Sequence, residues 1–192
     1  MRNNRLLLVC TLVASLFLVG TAIAADEGSG KTTPGNTLTV DYFANANTSG
    51  APDATVRITN PGTTFETLCA DIYVFYPDQE MAECCACAIT PDGLLTLSVN
   101  KDLTSNPLTG TVPVNGVVKI VSSSTCDPTK VVQAPTLKSW FTHIQNSRFT
   151  ITEGESQSAT LSGGEQGSLD SGCAAIVKEG SGHGICTCGS GG

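Results

Sequence analysis

The sequence predicts a mainly β domain: an antiparallel β-sandwich or small barrel, immunoglobulin-like in general architecture, stapled by disulfides and carrying one short C-terminal helix. Three observations carry that expectation. Short runs of alternating or β-branched residues recur between Gly, Pro and Asn turn signals along most of the chain. A single stretch, near the end, has helical periodicity. Cysteines recur from residue 69 to residue 188, in two tight clusters and three single positions. Strands do not alternate with long helices, which argues against doubly wound or TIM-barrel folds, and no repeat at a solenoid period is visible.

Residues 1–24 read as a signal peptide. Arg2 and Arg5 precede an apolar stretch from Leu6 to Val19, and Ala22 and Ala24 supply the small residues needed before a cleavage point at Ala25. The apolar core, Leu6 to Gly20, is about fifteen residues, short of the ~20 that span a bilayer core, and it ends in the cleavage motif. Residues 25–36 are polar and Gly-rich and read as a flexible leader, so 37–192 is expected to form a single domain. The whole chain has net charge −7, with 10 basic and 17 acidic residues. Cleavage would remove two arginines and leave 8 against 17, or −9. No Lys/Arg cluster exists to neutralise phosphates or anionic lipid, so nucleic acid and membrane surfaces are poor partners. No membrane span is expected after cleavage. The expected location is secreted or extracytoplasmic, in a periplasm or at a cell surface.

The first strands follow the leader. Leu38–Tyr42 and Thr55–Thr59 alternate with period two, and Asn60-Pro61-Gly62 turns the chain. Leu68–Tyr76 is a β-branched and aromatic run, the best candidate for a central strand, with Cys69 placed to pin it to a neighbour. Met81–Ile89, which contains Cys84-Cys85-Ala86-Cys87, reads as a short loop or single helical turn. Thr90-Pro91-Asp92-Gly93 is a turn, because proline presets φ and glycine accepts positive φ. Leu95–Val99 resumes alternation. Val112–Val121 reads as a hairpin around Asn115-Gly116, with Pro113 holding its first arm at a sheet edge. Val131–His143 is ambiguous between strand and loop, and Arg148–Thr152 is a short strand. Ser162 and Glu165 fit a capping box, and Leu169, Cys173, Ile176 and Val177 recur at helical spacing. A helix is therefore expected over about 164–178, tethered to the sheet through Cys173.

Nine cysteines become eight on cleavage: Cys69, Cys84, Cys85, Cys87, Cys126, Cys173, Cys186 and Cys188. An even number in an exported chain predicts four disulfides, whose connectivity the sequence leaves open. Adjacent cysteines such as Cys84 and Cys85 rarely bond each other, and a natural guess ties the first cluster to the Cys186/Cys188 pair. The alternative is a metal or redox site built from Cys84, Cys85, Cys87, Cys186 and Cys188 with His183 beside them. Cys84 and Cys87 stand at C-x-x-C spacing, but the second cluster is only C-x-C and does not supply the second such pair of a structural zinc site, so disulfides are favoured and no cofactor is expected.

No G-x-S-x-G, H-E-x-x-H, P-loop or EF-hand pattern is present. His143 follows an aromatic pair and reads as a partly buried or surface residue, and His183 as part of a glycine loop. Asp78 with Glu80, and Glu153 with Glu155, are carboxylates close in sequence, but an acidic surface accounts for them. Asn47-Thr48-Ser49 matches a glycosylation sequon.

The block Ile72–Cys87, continuing through Leu103–Thr109, together with Gly180–Cys188, resembles a family of uncharacterised exported cysteine-rich bacterial proteins. The CCxC block is the most specific part. The resemblance implies an exported bacterial protein with the same cysteine framework, and it transfers no catalytic residue. Two readings follow from the residues. One is a non-enzymatic extracellular structural or binding domain, with an unidentified protein or surface partner and edge strands open to self-association. The other is a thiol-based metal or redox protein, with an exported hydrolase as a third class.

Overall fold

The structure is a computed structural model and describes residues 35–189 except Thr136. The signal peptide expected over residues 1–24 and most of the leader expected over 25–36 lie outside the described residues.

Among the described residues nine strands and one α-helix form in chain order: β1 Leu38–Phe43, β2 Thr55–Thr59, β3 Leu68–Phe75, β4 Met81–Ile89, β5 Leu94–Ser98, β6 Gly116–Ser123, β7 Lys138–Gln145, β8 Thr150–Glu155, β9 Gln157–Ala159 and α1 Gly163–Glu179. A single π-helical turn, Val99–Leu103, follows β5. The strands make two antiparallel sheets, a five-stranded one ordered β4-β3-β6-β1-β9 and a four-stranded one ordered β5-β2-β7-β8. The architecture is an open sandwich. The barrel alternative fails because each sheet keeps its own two edge strands.

Period-two alternation assigns the layers. Leu68, Ala70, Ile72 and Val74 of β3 and Val118 and Ile120 of β6 face Val56, Ile58, Leu97 and Phe141 of the second sheet, forming the inter-sheet core. The intervening residues Tyr73 and Val121 face the other way and join Leu38, Leu161, Leu169 and Ile176 under α1. The five-stranded sheet is therefore covered on both faces. That explains why β3 reads as a continuous apolar run, with every residue but its last buried.

Three expectations change in detail. Met81–Ile89 is an edge strand, neither loop nor helical turn. The pleat of β4 sends Cys84 toward α1 and Cys85 and Cys87 into the inter-sheet core, which gives adjacent cysteines the separate partners they need. The Val112–Val121 segment is not a two-armed hairpin. Residues 112–114 lie against the loop after β1, where Ala46 N–H donates to the Val114 carbonyl at 2.9 Å. Gly116 instead opens β6 opposite Phe43, and a Cβ there would sit 2.3 Å from the Phe75 carbonyl oxygen. Close approach requires that glycine. The segment 131–143 resolves into β7 from Lys138 onward, and the strand expected over Arg148–Thr152 is β8, displaced to Thr150–Glu155. The chain then passes through Ser156 into β9, a strand the sequence does not announce, and so moves from one sheet to the other.

The helix runs close to its expected limits. Ser162 Oγ accepts from the Glu165 N–H at 3.1 Å, as an N-cap should. The Glu165 carboxylate is spent on Lys119 of β6. Gly180, in αR conformation, ends the helix with its N–H on the Ile176 carbonyl at 2.7 Å.

Candidate functional site

The eight cysteines among the described residues make four disulfides: Cys69–Cys126, Cys84–Cys173, Cys85–Cys186 and Cys87–Cys188, with Cα separations of 5.2–5.9 Å. Cys85 and Cys87 pair with the C-terminal cluster, as guessed, whereas Cys84 takes Cys173 and anchors α1. The tail consequently lies along the outer edge of β4. Cys84 N–H donates to the Gly184 carbonyl at 2.8 Å, and Cys186 N–H donates back to the Cys84 carbonyl at 3.3 Å. Beyond it, Thr187 N–H donates to Asp102 O at 2.9 Å, in the turn after β5. The tail thus bridges from one sheet edge toward the other and covers an edge that would otherwise offer free backbone groups. His183, the sixth member of the expected thiolate–imidazole set, is exposed, with Nδ1 3.1 Å from Asn106 Oδ1. The five sulfurs of that set are consumed in bonds, so a thiolate site would first require reduction.

Asn106 ties this region together. Its side-chain amide donates to the Gly182 and Ile185 carbonyls, its carbonyl accepts from Gly184 N–H, and its own N–H donates to Glu83 Oε1 at 3.0 Å. Glu83 is fully buried on the inter-sheet face of β4. Its second oxygen has no hydrogen-bond partner, and burial pushes its pKa up to about 7, against the opposing Asn106 bond.

A second buried acid lies on the opposite face of the same sheet. Asp71 of β3 faces α1, is fully buried, and has a hydrogen-bond partner on neither oxygen. Its pKa is raised to about 7, chiefly by burial and to a smaller extent by the charges of Asp127 and Asp170. The Ser123 hydroxyl opposes that rise and also lies 3.2 Å from the Val132 carbonyl. Neighbouring Tyr73 donates its hydroxyl to the Pro128 carbonyl at 2.9 Å, and its own ionisation is pushed upward by burial.

His143 of β7 is the only other imidazole among the described residues. Its Nε2 lies 3.3 Å from Asp41 Oδ1 of β1, and its ring stacks against Tyr42 and, farther off, Phe141. Its Nδ1 is buried without a partner. An Asp–His pair is two members of a triad, but among the described residues no hydroxyl or thiol hydrogen-bonds the ring. Of the carboxylate pairs, Asp78 and Glu80 are exposed beside a turn. Glu153 is matched by Arg57 and Glu155 by Lys138 across the second sheet. Asn47 donates its amide to Thr104 Oγ1 at 3.0 Å and to the Pro113 carbonyl, so the sequon nitrogen is used internally.

A cleft of about 430 Å³ opens where the N-terminal turn of α1 meets the end of β3, lined by Phe75, Tyr76, Lys119, Glu165 and Leu169. Lys119 lies 4.9 Å over the Phe75 ring while pairing with Glu165. The cleft contains an internally satisfied ion pair and no nucleophile–base arrangement. Among the described residues no three carboxylate, imidazole or thiolate groups converge on one point as a formed metal centre would, and no helix is long and apolar enough to cross a membrane. Comparisons with protein-family models, curated proteins and solved structures found no match to this chain.

Proposed function

We propose that this chain is an exported, non-enzymatic structural or binding domain that works through its faces outside the cytoplasm. The observation that carries the reading is the disposition of the disulfides. They clamp the loop after β6 onto β3, α1 onto β4, and the tail onto β4 twice. Such bonds persist in oxidising compartments, and the resemblance of the CCxC block to exported bacterial proteins points the same way. Apolar groups are presented at one end of the sandwich. Phe65 is 85 % exposed in a loop held by the Asn60 amide, and Leu94 is 56 % exposed opposite Thr59. These groups form the contact face we assign to a protein or surface partner.

The test is intact mass measurement of protein isolated from its own exported fraction, alkylated before and after reduction. Four disulfides predict no alkylation before reduction and eight adducts after it. Two or more adducts before reduction, mapping to residues 84–87 and 186–188, would replace this reading with the thiol-based one. Turnover of a defined extracellular substrate, abolished by His143→Ala in a variant that keeps the fold, would replace it with a hydrolase.

A further inference from the structure

The two sheets differ on their outer faces. α1 covers that of the five-stranded sheet, whereas the side chains of β2, β5 and β7 that alternate with Val56, Ile58, Leu97 and Phe141 turn away from the core. Register sets them in rows across β5-β2-β7-β8. One row reads Thr96, Arg57, Trp140, Glu155. The next reads Ser98, Thr55, Thr142, Glu153, with the Thr55 and Thr142 hydroxyls 2.9 Å apart. All but Thr142 are partly or fully exposed. Trp140 is the only tryptophan in the chain and belongs to neither hydrophobic core. Among the described residues no hydrogen bond uses its indole N–H. A cleft of about 580 Å³ adjoins the rows on the β5 side, sharing Thr55, Thr96 and Ser98 and adding Lys101, Asp102 and Thr187. Charge on this surface cancels in pairs. Arg57 contacts Glu153, Lys138 lies 3.5 Å from Glu155, and Lys101 is followed by Asp102. Both Asp102 oxygens are engaged, Oδ2 by the Ser98 N–H at 2.7 Å and Oδ1 by the Thr187 hydroxyl at 3.1 Å. A surface that sums to zero, in a chain of net charge −7, is complementary to an uncharged partner and discriminates against polyanions and cations.

We propose that this face and its cleft bind a neutral oligosaccharide, with Trp140 as the stacking platform. A sugar ring has a face of C–H groups that packs on an indole, as other apolar groups do, and a rim of hydroxyls that both donate and accept. That rim meets threonine and serine hydroxyls with the same double capacity. It also meets the Arg57–Glu153 pair, which sets N–H donors beside carboxylate oxygens. At about 4.8 Å between strands, the row from Thr96 to Glu155 is about 14 Å long, room for about three sugar rings in line. The cleft has the size of an ordinary small-ligand site. A lipid would find a single aromatic among hydroxyls, and a phosphate backbone would find cations already matched by acids. The face is distinct from the Phe65 loop, so it adds a ligand class to the binding-domain reading without depending on that contact.

Because Trp140 is the sole tryptophan, selectively excited tryptophan emission reports on this face alone. Fully oxidised protein is titrated with cellohexaose, xylohexaose and mannohexaose, with glucose and a galacturonic acid hexamer as controls. In parallel it is run by affinity electrophoresis through gels holding soluble β-glucan, xylan or galactomannan. At least one neutral hexamer is expected to shift the emission to shorter wavelength and to saturate with Kd of about 10⁻⁴ M. Glucose is expected to bind at least tenfold more weakly, and the acidic hexamer to give no response. Trp140→Ala is expected to weaken retardation in the gel at least tenfold with circular dichroism unchanged, and Trp140→Phe, which keeps a smaller ring, to retain part of it. Thr96→Val, on the exposed edge of the row, is expected to weaken it severalfold, and Phe65→Ala to leave it intact. No shift and no retardation with any neutral sugar, retardation of Trp140→Ala equal to the parent's, or preference for the acidic hexamer overturns the proposal. The thiol count is independent of all these outcomes, so the exported-domain reading stands or falls separately.

Discussion

Glu83→Gln offers a stability experiment whose sign changes with pH. The parent carboxyl is fully buried, and burial raises its pKa from an ordinary 4.5 to about 7. Between those values the folded state holds a proton that the unfolded chain has released. The folded state then binds more protons, so stability contributed by this group is complete below pH 4.5 and is lost as pH rises through 7. At 1.36 kcal/mol per pH unit, the rise amounts to about 3 kcal/mol. Glutamine keeps the volume and an oxygen for the Asn106 N–H, and it never ionises. The two proteins are therefore expected to have similar unfolding free energies at pH 4.5. By pH 8.5 the variant should be more stable by about 3 kcal/mol. With a urea m-value of about 2 kcal/mol/M, the midpoints should separate by about 1.5 M. The assay is urea unfolding of oxidised protein in chelator from pH 4.5 to 8.5, followed by circular dichroism. Asp71 is common to both proteins and cancels in the difference. Parallel curves across the whole range would refute the argument, since they would mean that the folded protein keeps Glu83 at its ordinary pKa.

Other substitutions probe the staples and the backbone. Once Cys85–Cys186 is in place, Cys87–Cys188 closes a ring of only about six residues, so Cys87→Ala with Cys188→Ala should cost about 2 kcal/mol. Removing Cys69–Cys126 opens a loop of 57 residues and should cost about 4 kcal/mol. Urea midpoints of the two double variants rank them. Gly116→Ala places a methyl against the Phe75 carbonyl and the Phe43 ring and should destabilise by at least about 2 kcal/mol, visible as a lowered Tm. Ser162→Ala removes the cap that accepts from Glu165 N–H and should cost about 1 kcal/mol, with amide exchange faster in the first turn of α1 than in β3.

What the sequence made legible divides along the range of the interactions. β2 matches its alternation residue for residue, and α1 ends within a residue of its signals, because capping and period act over one turn or one strand. β3 was recognisable as central from its apolar run, although the cause, a helix on its outer face, is a long-range fact. The CCAC block was misread because cysteine carries weak propensity. Its strand character comes from pairing with β3 and from tail backbone bonding to Cys84. Asn115-Gly116 misled for a related reason, since a glycine that suits a tight turn suits equally well a strand start crowded by Phe43. β9 is three exposed residues paired only with β1, and it leaves no pattern to find. At the level of sites, the carboxylate pairs at 78/80 and 153/155 drew attention by adjacency and lie on the surface. Asp71 and Glu83 sit unannounced inside apolar runs, and the signal available for them was the isolated charge within a strand otherwise fit for burial.

The pairing scheme also sets an order of events. Cys84, Cys85 and Cys87 are made early, but all their partners lie at 173 or beyond. A chain emerging from its N-terminus can lay down β1 to β8 while those three thiols are still unmatched, and only Cys69–Cys126 joins residues that are both available before residue 173 is made. Three neighbouring thiols on one edge strand therefore wait for the last residues to arrive. During that interval the edge of β4 is both bare and reactive, and the closing stretch of chain, whose Cys186 and Cys188 pair with Cys85 and Cys87 once the oxidising compartment takes up the electrons, also covers the backbone. Truncation shortly before residue 173 would leave the sandwich strands intact in sequence yet strand all three thiols, so completion of the tail acts as the lock on the finished domain.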